Sequence, residues 1–402
     1  MYTFDENGVP IPELEEIYLR QDPLKDYGYK GFIGPEPHGT LPLNSASSVP
    51  KPKRGRDIGY TEQLIKQLDT LNNCKEPWLL VGTYVNPHDI TLMGLYTDNN
   101  ASGFDFPIDE TLPKKLFTKE FTKSHLENLN TKPAAQKNYR DLYSVAIQPI
   151  INIDKYQRFY YSAQKYVDQN IEKVWKKLKS LDAYKNTIIL FLSDHGELLA
   201  SHGSMFQKWH NAYQETIHVP FIISSPLFGN KHHDVYELTS HIDILPTLLG
   251  FADANVDYVR NKLMNEFSLA LPLPGRNLSI FFEKKYKNKI IPHVPIYFYT
   301  EDQPTKGSNQ VNALCQPYNS VIQPNHVQAL ISKYKNKLWK ITNYYGCDCT
   351  TNCPFGGITG ELYNLENDPL ELDNLINNKK YLDVQNYMND LLTKYSFLYR
   401  GI

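Results

Sequence analysis

The chain has 402 residues, with 42 Lys and Arg against 44 Asp and Glu, a net charge of −2. Hydrophobic residues make up 41%, and 29 Tyr, 18 Phe and 4 Trp supply enough bulk for a sizeable core, which excludes a disordered chain. The balanced charge offers nothing to nucleic acid or an acidic membrane, and no apolar run approaches the roughly 18 residues a transmembrane helix needs.

The opening MYTFDENGVPIPELEE is acidic and polar, so no signal peptide is visible. The compartment is therefore unknown, cytoplasmic by default. The first 60 residues read as loop with one short helix, and Gly34 to Arg56 is almost all turn chemistry. Tyr60 to Leu71 reads as a helix. The apolar run Trp78 to Val85 predicts a buried strand, followed directly by Asn86-Pro87-His88-Asp89. Residues 95 to 150 are loop-rich. Phe159, Ala163, Tyr166, Val167, Ile171, Val174, Trp175 and Leu178 recur at helical spacing, so Tyr156 to Leu181 is a helix with a core-facing stripe. Thr187 to Leu192 and Val219 to Ser224 predict two more buried strands. His241 to Leu249 predicts a short helix containing Pro246, and Val294 to Tyr299 a fourth strand. Val327 to Lys333 and Leu338 to Tyr344 flank Lys335-Asn336-Lys337 as a hairpin, and Asp383 to Leu398 closes the chain as a helix. Strand–helix alternation to about residue 300, then a hairpin and a helix, predicts an α/β body over 1–304 and a C-terminal α+β subdomain over 305–402.

In open α/β sheets, ligands bind beyond the carboxyl ends of the strands. His88 and the pair Asp194-His195 stand at such ends. A carboxylate followed by an imidazole, on a turn opened by Gly196, suits either a divalent cation or a plain strand-end turn whose Asp caps the next helix. Lys208 suits an anionic substrate or a solvated surface, and His202 and His210 read as ordinary polar residues. Lys51, Lys53, Arg54 and Arg56 read as a solvated loop. Cys347, Cys349 and Cys353 read as a disulfide or free thiols before a zinc site, because no fourth ligand is evident.

Together, TIILFLSDHGELLASHGSMFQKWHNAYQETIHVPFIISSP (Thr187 to Pro226), WLLVGTYVNPHDI, HIDILPTLLG and GELYNLENDPLELDNL resemble the sulfatase family of the alkaline phosphatase superfamily. The resemblance runs from about Tyr27 to the end. It implies an alkaline-phosphatase-like body, a mixed sheet flanked by helices, and hydrolysis of a sulfuric ester of a carbohydrate or an aryl or alkyl alcohol. It implies one divalent metal, Ca²⁺ first and Mn²⁺ second, with Asp194 and His195 matching two ligands. His88 matches a histidine that contacts the sulfate or the leaving oxygen. Lys208 matches a lysine on the sulfate and bridging oxygens. The family's paired aspartates, its C-x-P-S-R motif that becomes formylglycine, and its G-K-W-H segment have no counterpart here, and Cys315 in Cys-Gln-Pro-Tyr-Asn is a coincidence. The resemblance therefore predicts a body truncated before residue 1, incomplete or inactive alone, with apolar surface exposed where a strand is missing. The alternatives are a phosphodiester or phosphonate monoester hydrolase and a non-catalytic sulfatase-like binding protein.

Overall fold

In the computed structural model, residues 5, 9, 11–33, 45–49, 54–116, 119–229, 231–267, 269–282, 293–301, 311–312, 314–346 and 359–400 are described. The elements run α1 (Pro12–Gln21), α2 (Arg56–Leu71), α3 (Lys119–His125), α4 (Ala134–Ala146), α5 (Ile153–Lys179) and β1 (Ile189–Leu192). Two single turns, α6 (Ser201–Ser204) and α7 (Gln214–Ile217), precede β2 (Phe221–Ser224), α8 (Ile244–Phe251) and α9 (Val256–Leu263). The chain then gives β3 (Ile296–Thr300), β4 (His326–Tyr334), β5 (Lys337–Tyr345), β6 (Gly360–Asn364) and α10 (Leu382–Arg400).

The body is organised around α5. Asn152 caps it by accepting from the Lys155 amide at 2.9 Å, and Lys176, Lys177 and Lys179 in its last turn complement the helix dipole. Its buried residues Tyr156, Phe159, Ala163 and Val167 follow the helical stripe. Tyr156 and Phe159 share a core with Tyr139 and Tyr143 of α4 and with Leu198, Met205, Phe206 and Tyr213. Helix α2 lies beside α5: Lys177 pairs with Asp69, and Asn72 accepts from the Ala183 amide at 3.3 Å.

Three expectations need correction. Trp78 to Val85 is extended but forms no strand, because no ladder partner pairs its backbone among the described residues. It is not buried either: Leu79 and Val81 are 60% and 54% exposed. The strands β1 and β2 do form, but they are half-buried, since among the described residues they pair antiparallel only with each other. Ile222 is 56% exposed and Phe191 40%.

The other sheet has the order β3-β4-β5-β6, antiparallel throughout. The β4–β5 hairpin turns on Lys335 and Asn336, both at positive φ (47° and 62°), which matches the right-handed twist of its strands. Both faces are covered, as period-2 alternation requires. Val327, Ala329 and Ile331 of β4 join the body core, whereas Leu330 packs with Ile341, Leu362 and Met388 beneath α10. The sequence division at 304 leaves Ile296–Thr300 with the body, whereas its hydrogen bonds are to β4.

Body and C-terminal sheet meet at a buried polar seam. The Lys132 ammonium pairs with Glu127 at 3.1 Å, donates to the Tyr363 hydroxyl at 2.6 Å and donates to the Glu371 carbonyl at 2.5 Å. Lys340 of β5 pairs with the Glu371 carboxylate and donates to the Ala212 carbonyl, both at 2.5 Å. Glu361 of β6 accepts from Tyr213 at 2.7 Å, Tyr344 at 2.9 Å and Gln136 at 3.0 Å. Buried charges persist only when paired and hydrogen-bonded in this way. Among the described residues no helix is long and apolar enough to cross a membrane.

Candidate active site

His88 opens a short 3-10 turn, His88–Leu92, fixed from both sides by buried aspartates. Asp57, in the first turn of α2, accepts from the Val85 amide at 2.9 Å, the Asn86 amide at 3.2 Å and the Asn86 side chain at 2.8 Å. Burial pushes its carboxyl up to about 6 against those donors. Asp89 accepts from the amides of Ala46 (2.9 Å), Ser47 (2.7 Å) and Ser48 (3.2 Å), and burial raises its carboxyl as well. The loop at 45–48 thus clamps the residue next to His88.

Asp194 and His195 stand past the end of β1, on a turn docked against α7. The Gly196 and Glu197 amides donate to the Thr216 and Glu215 carbonyls at 2.8 and 3.0 Å. A Cβ on Gly196 would lie 2.0 Å from the Glu215 carbonyl oxygen, so only glycine permits this approach. His195 Nε2 lies 3.4 Å from Asp194 Oδ2, and its Nδ1 lies 3.0 Å from the Gly196 carbonyl. The Asp194 side chain is 83% exposed. His241, ahead of α8, meets the Ser193 carbonyl at 2.8 Å and so borders the same strand end.

From Glu197 the chain enters a tight loop returning at Lys208. Leu199, Ala200, His202, Ser204, Gln207 and His210 all have positive φ, each a conformation that costs a non-glycine residue energy. The side chain of Glu197 is buried, and its Oε1 accepts from the Leu199 amide at 3.2 Å and the Gln207 amide at 2.7 Å. Burial pushes the Glu197 carboxyl up to about 7, against those amides and the nearby Lys208 charge. Lys208 is half-buried, its ammonium 5.3 Å from the Trp209 ring centre. His202 is buried between Glu127 (3.2 Å) and Glu215 (3.4 Å) and stacks on Tyr213 with centroids 3.6 Å apart. Burial alone would push His202 down; the two carboxylates together outweigh it and hold the imidazole at about 9.

Asp194 and His195 thus share the turn at 194–197, Lys208 follows at the far end of the loop that Glu197 spans, and His88 is held by a separate framework. His202 and His210 are buried structural groups; His210 Nδ1 meets the Asn325 carbonyl at 2.9 Å. Of the basic residues at 51–56, Arg56 is buried rather than solvated, and Lys51 and Lys53 lie outside the described residues. So do Cys347, Cys349 and Cys353; Cys74 and Cys315 are exposed free thiols. Residue reasoning missed Asp57, Asp89 and Glu197. Their one signal was position, each beside a residue already singled out or at a helix start.

The sequence model of the sulfatase family matches residues 13–254, more than half of the chain. The chain belongs to the sulfatase family. This sulfatase is 26% identical over 381 residues to the Δ4,5-hexuronate-2-O-sulfatase of Bacteroides thetaiotaomicron, covering 93% of this chain and 66% of that relative. It spans less than two thirds of the length of its curated relatives, 51% and 53% in two further cases. Among solved structures, a 2-O GAG sulfatase superposes with a TM-score of 0.61 at 22% identity, over 92% of this chain and 68% of that one. The phosphonate monoester hydrolase of Agrobacterium radiobacter superposes with a TM-score of 0.54 at 18% identity, over 95% and 69%. These likenesses establish the alkaline-phosphatase-like fold.

Sulfatases in general work with a metal and a formylglycine. Asp194 and His195 supply two donors, and a hard cation takes six or more ligands. Among the described residues no group of three or more His, Cys, Asp or Glu converges to hold an ion. Among the described residues these donors do not make a complete cation site.

Proposed function

We propose that this sulfatase hydrolyses sulfuric esters of carbohydrates, releasing the alcohol and sulfate by S–O cleavage with water. The observation that carries the reading is the family match, supported by Asp194 and His195 on the turn beyond β1 and by Lys208 at the end of the loop that Glu197 spans from that turn. The half-buried Lys208 ammonium is suited to the sulfate and to the bridging oxygen, on which charge builds as the S–O bond breaks. His88, on its clamped turn, is suited to donate a proton to the leaving alkoxide. Asp194 and His195 are the proposed metal ligands, Ca²⁺ before Mn²⁺. The naming of a relative as a hexuronate-2-O-sulfatase makes 2-O-sulfated uronic acid sugars the first substrates to try.

The test is sulfate release from a 2-O-sulfated unsaturated disaccharide and from 4-nitrophenyl sulfate, with bis(4-nitrophenyl) phosphate beside them. The chain, with no nucleophile motif in its sequence, is expected to release little sulfate alone, and what it releases should fall at least about 100-fold in Lys208→Ala. Release undiminished in Lys208→Ala overturns the reading. Preference for the phosphodiester moves the chain toward the phosphonate hydrolase side of the superfamily.

A further inference from the structure

Residues 199 to 210 are an unusual piece of backbone to find in front of a residue that must be placed accurately. Six non-glycine residues sit at positive φ there, and such strain persists only where the surroundings over-determine it. Some of the restraint comes from neighbouring helices. Gln157 of α5 donates to the Leu199 carbonyl at 2.9 Å, and Tyr139 of α4 donates to the Phe206 carbonyl at 3.1 Å. Within the loop, Leu198 and Ala200 donate to the Gln207 and Met205 carbonyls at 3.0 and 2.9 Å.

One group reaches both ends. Glu197 Oε1 accepts from Leu199, where the loop leaves, and from Gln207, where it returns. The next residue is Lys208. On the other side, the Glu197 amide is bonded to α7 and its chain neighbours are Asp194, His195 and Gly196. We infer that Glu197 is the positioning residue for Lys208: its carboxylate oxygen, beside the Leu198–Gln207 backbone bond, closes the strained 199–207 loop and so fixes the ammonium relative to Asp194 and His195.

Glu197 touches no substrate in this scheme; it acts through the backbone that carries Lys208. The inference rests on the reading of Lys208 as the sulfate contact, but its geometric half stands apart from turnover. A misplacement of about 1 Å costs catalysis on the order of 100-fold, so the loop's closure sets how well Lys208 can work. Gln in place of Glu keeps the accepting Oε1 and discards the charge. Leu discards both, and Asp keeps the charge but falls one methylene short of the second amide.

The experiment reads Lys208 directly, as the rate of its acetylation by an N-hydroxysuccinimide ester, followed peptide by peptide in the mass spectrometer. Leu392→Ala, a cavity under α10, serves as a variant destabilised elsewhere. Lys208 acetylation is expected to rise severalfold in Glu197→Leu and Glu197→Asp and to match the unaltered chain in Glu197→Gln and Leu392→Ala. Glu197→Asp decides the matter where Glu197→Leu does not fold. Unchanged acetylation in the Leu and Asp variants, an equal rise in Leu392→Ala, or no rescue by Gln each overturns the inference. Where sulfate esters are turned over, kcat should fall about 10- to 100-fold in Glu197→Leu and hold in Glu197→Gln. Lys208 acetylation unchanged in every variant refutes the role of Glu197, whereas turnover undiminished in Lys208→Ala refutes the proposed function, so the two failures are told apart.

Discussion

His202 shows how a single residue's burial becomes a property of the molecule. It lies between Glu127 and Glu215 with no exposed side-chain surface, and its imidazole is held at about 9 against an ordinary 6.5. The folded chain therefore keeps a proton that the unfolded chain releases between those values. Its contribution to stability is complete below about pH 6.5 and is lost as the pH climbs through about 9. Glu215 is held below its ordinary value by the same pair, although burial pulls the other way, so it stays charged across that window. The difference in melting temperature between the unaltered chain and His202→Gln should hold steady below pH 6.5 and shrink toward pH 9.5. A difference independent of pH would show that His202 is neutral in the folded state.

At the scale of elements, the β4–β5 hairpin offers the cleanest test, since its turn is local and its strands are long. Asn tolerates the positive φ at position 336, whereas a β-branched residue there is strained. Asn336→Val should lower stability by about 1–2 kcal/mol, seen as an earlier urea midpoint with an unchanged slope. This hairpin was legible in the sequence because its turn chemistry and its apolar alternation agree. Helix α5 was legible for the same reason, a stripe at one period over many turns. Trp78 to Val85 was misread because an apolar run says what a segment would bury, not whether a partner lies beside it. The pair Asp194-His195 could be marked by type and spacing, and Lys208 by its match to the sulfatase pattern. The anchors Asp57, Asp89 and Glu197 could not, since each gains its meaning from backbone amides supplied by another segment.

At the scale of the molecule, large apolar side chains stand exposed on the body, two of them, Phe191 and Ile222, as cross-strand partners. Leu79, Val81, Phe191 and Ile222 are each 40% exposed or more. Surface of this kind drives association when it is contiguous. The chain should sediment as a mixture of oligomers at micromolar concentration, and Leu79→Lys with Ile222→Thr should shift it toward monomer without lowering its melting temperature. A monomeric unaltered chain would show that these side chains do not act together.

The polar seam has a consequence for how the protein is made. Lys132 is synthesised 239 residues before Glu371, whose carbonyl it meets, and 231 before Tyr363. At about 5–20 residues per second, a ribosome needs roughly 12–48 s to cover that gap. Throughout it, the nascent body carries a lysine destined for the interior, with Glu127 and the Tyr213 ring to answer its charge but not yet the groups of the C-terminal sheet. The body cannot close on its own as it emerges; it must wait for its last strand, and whatever shields it in the meantime becomes part of its folding.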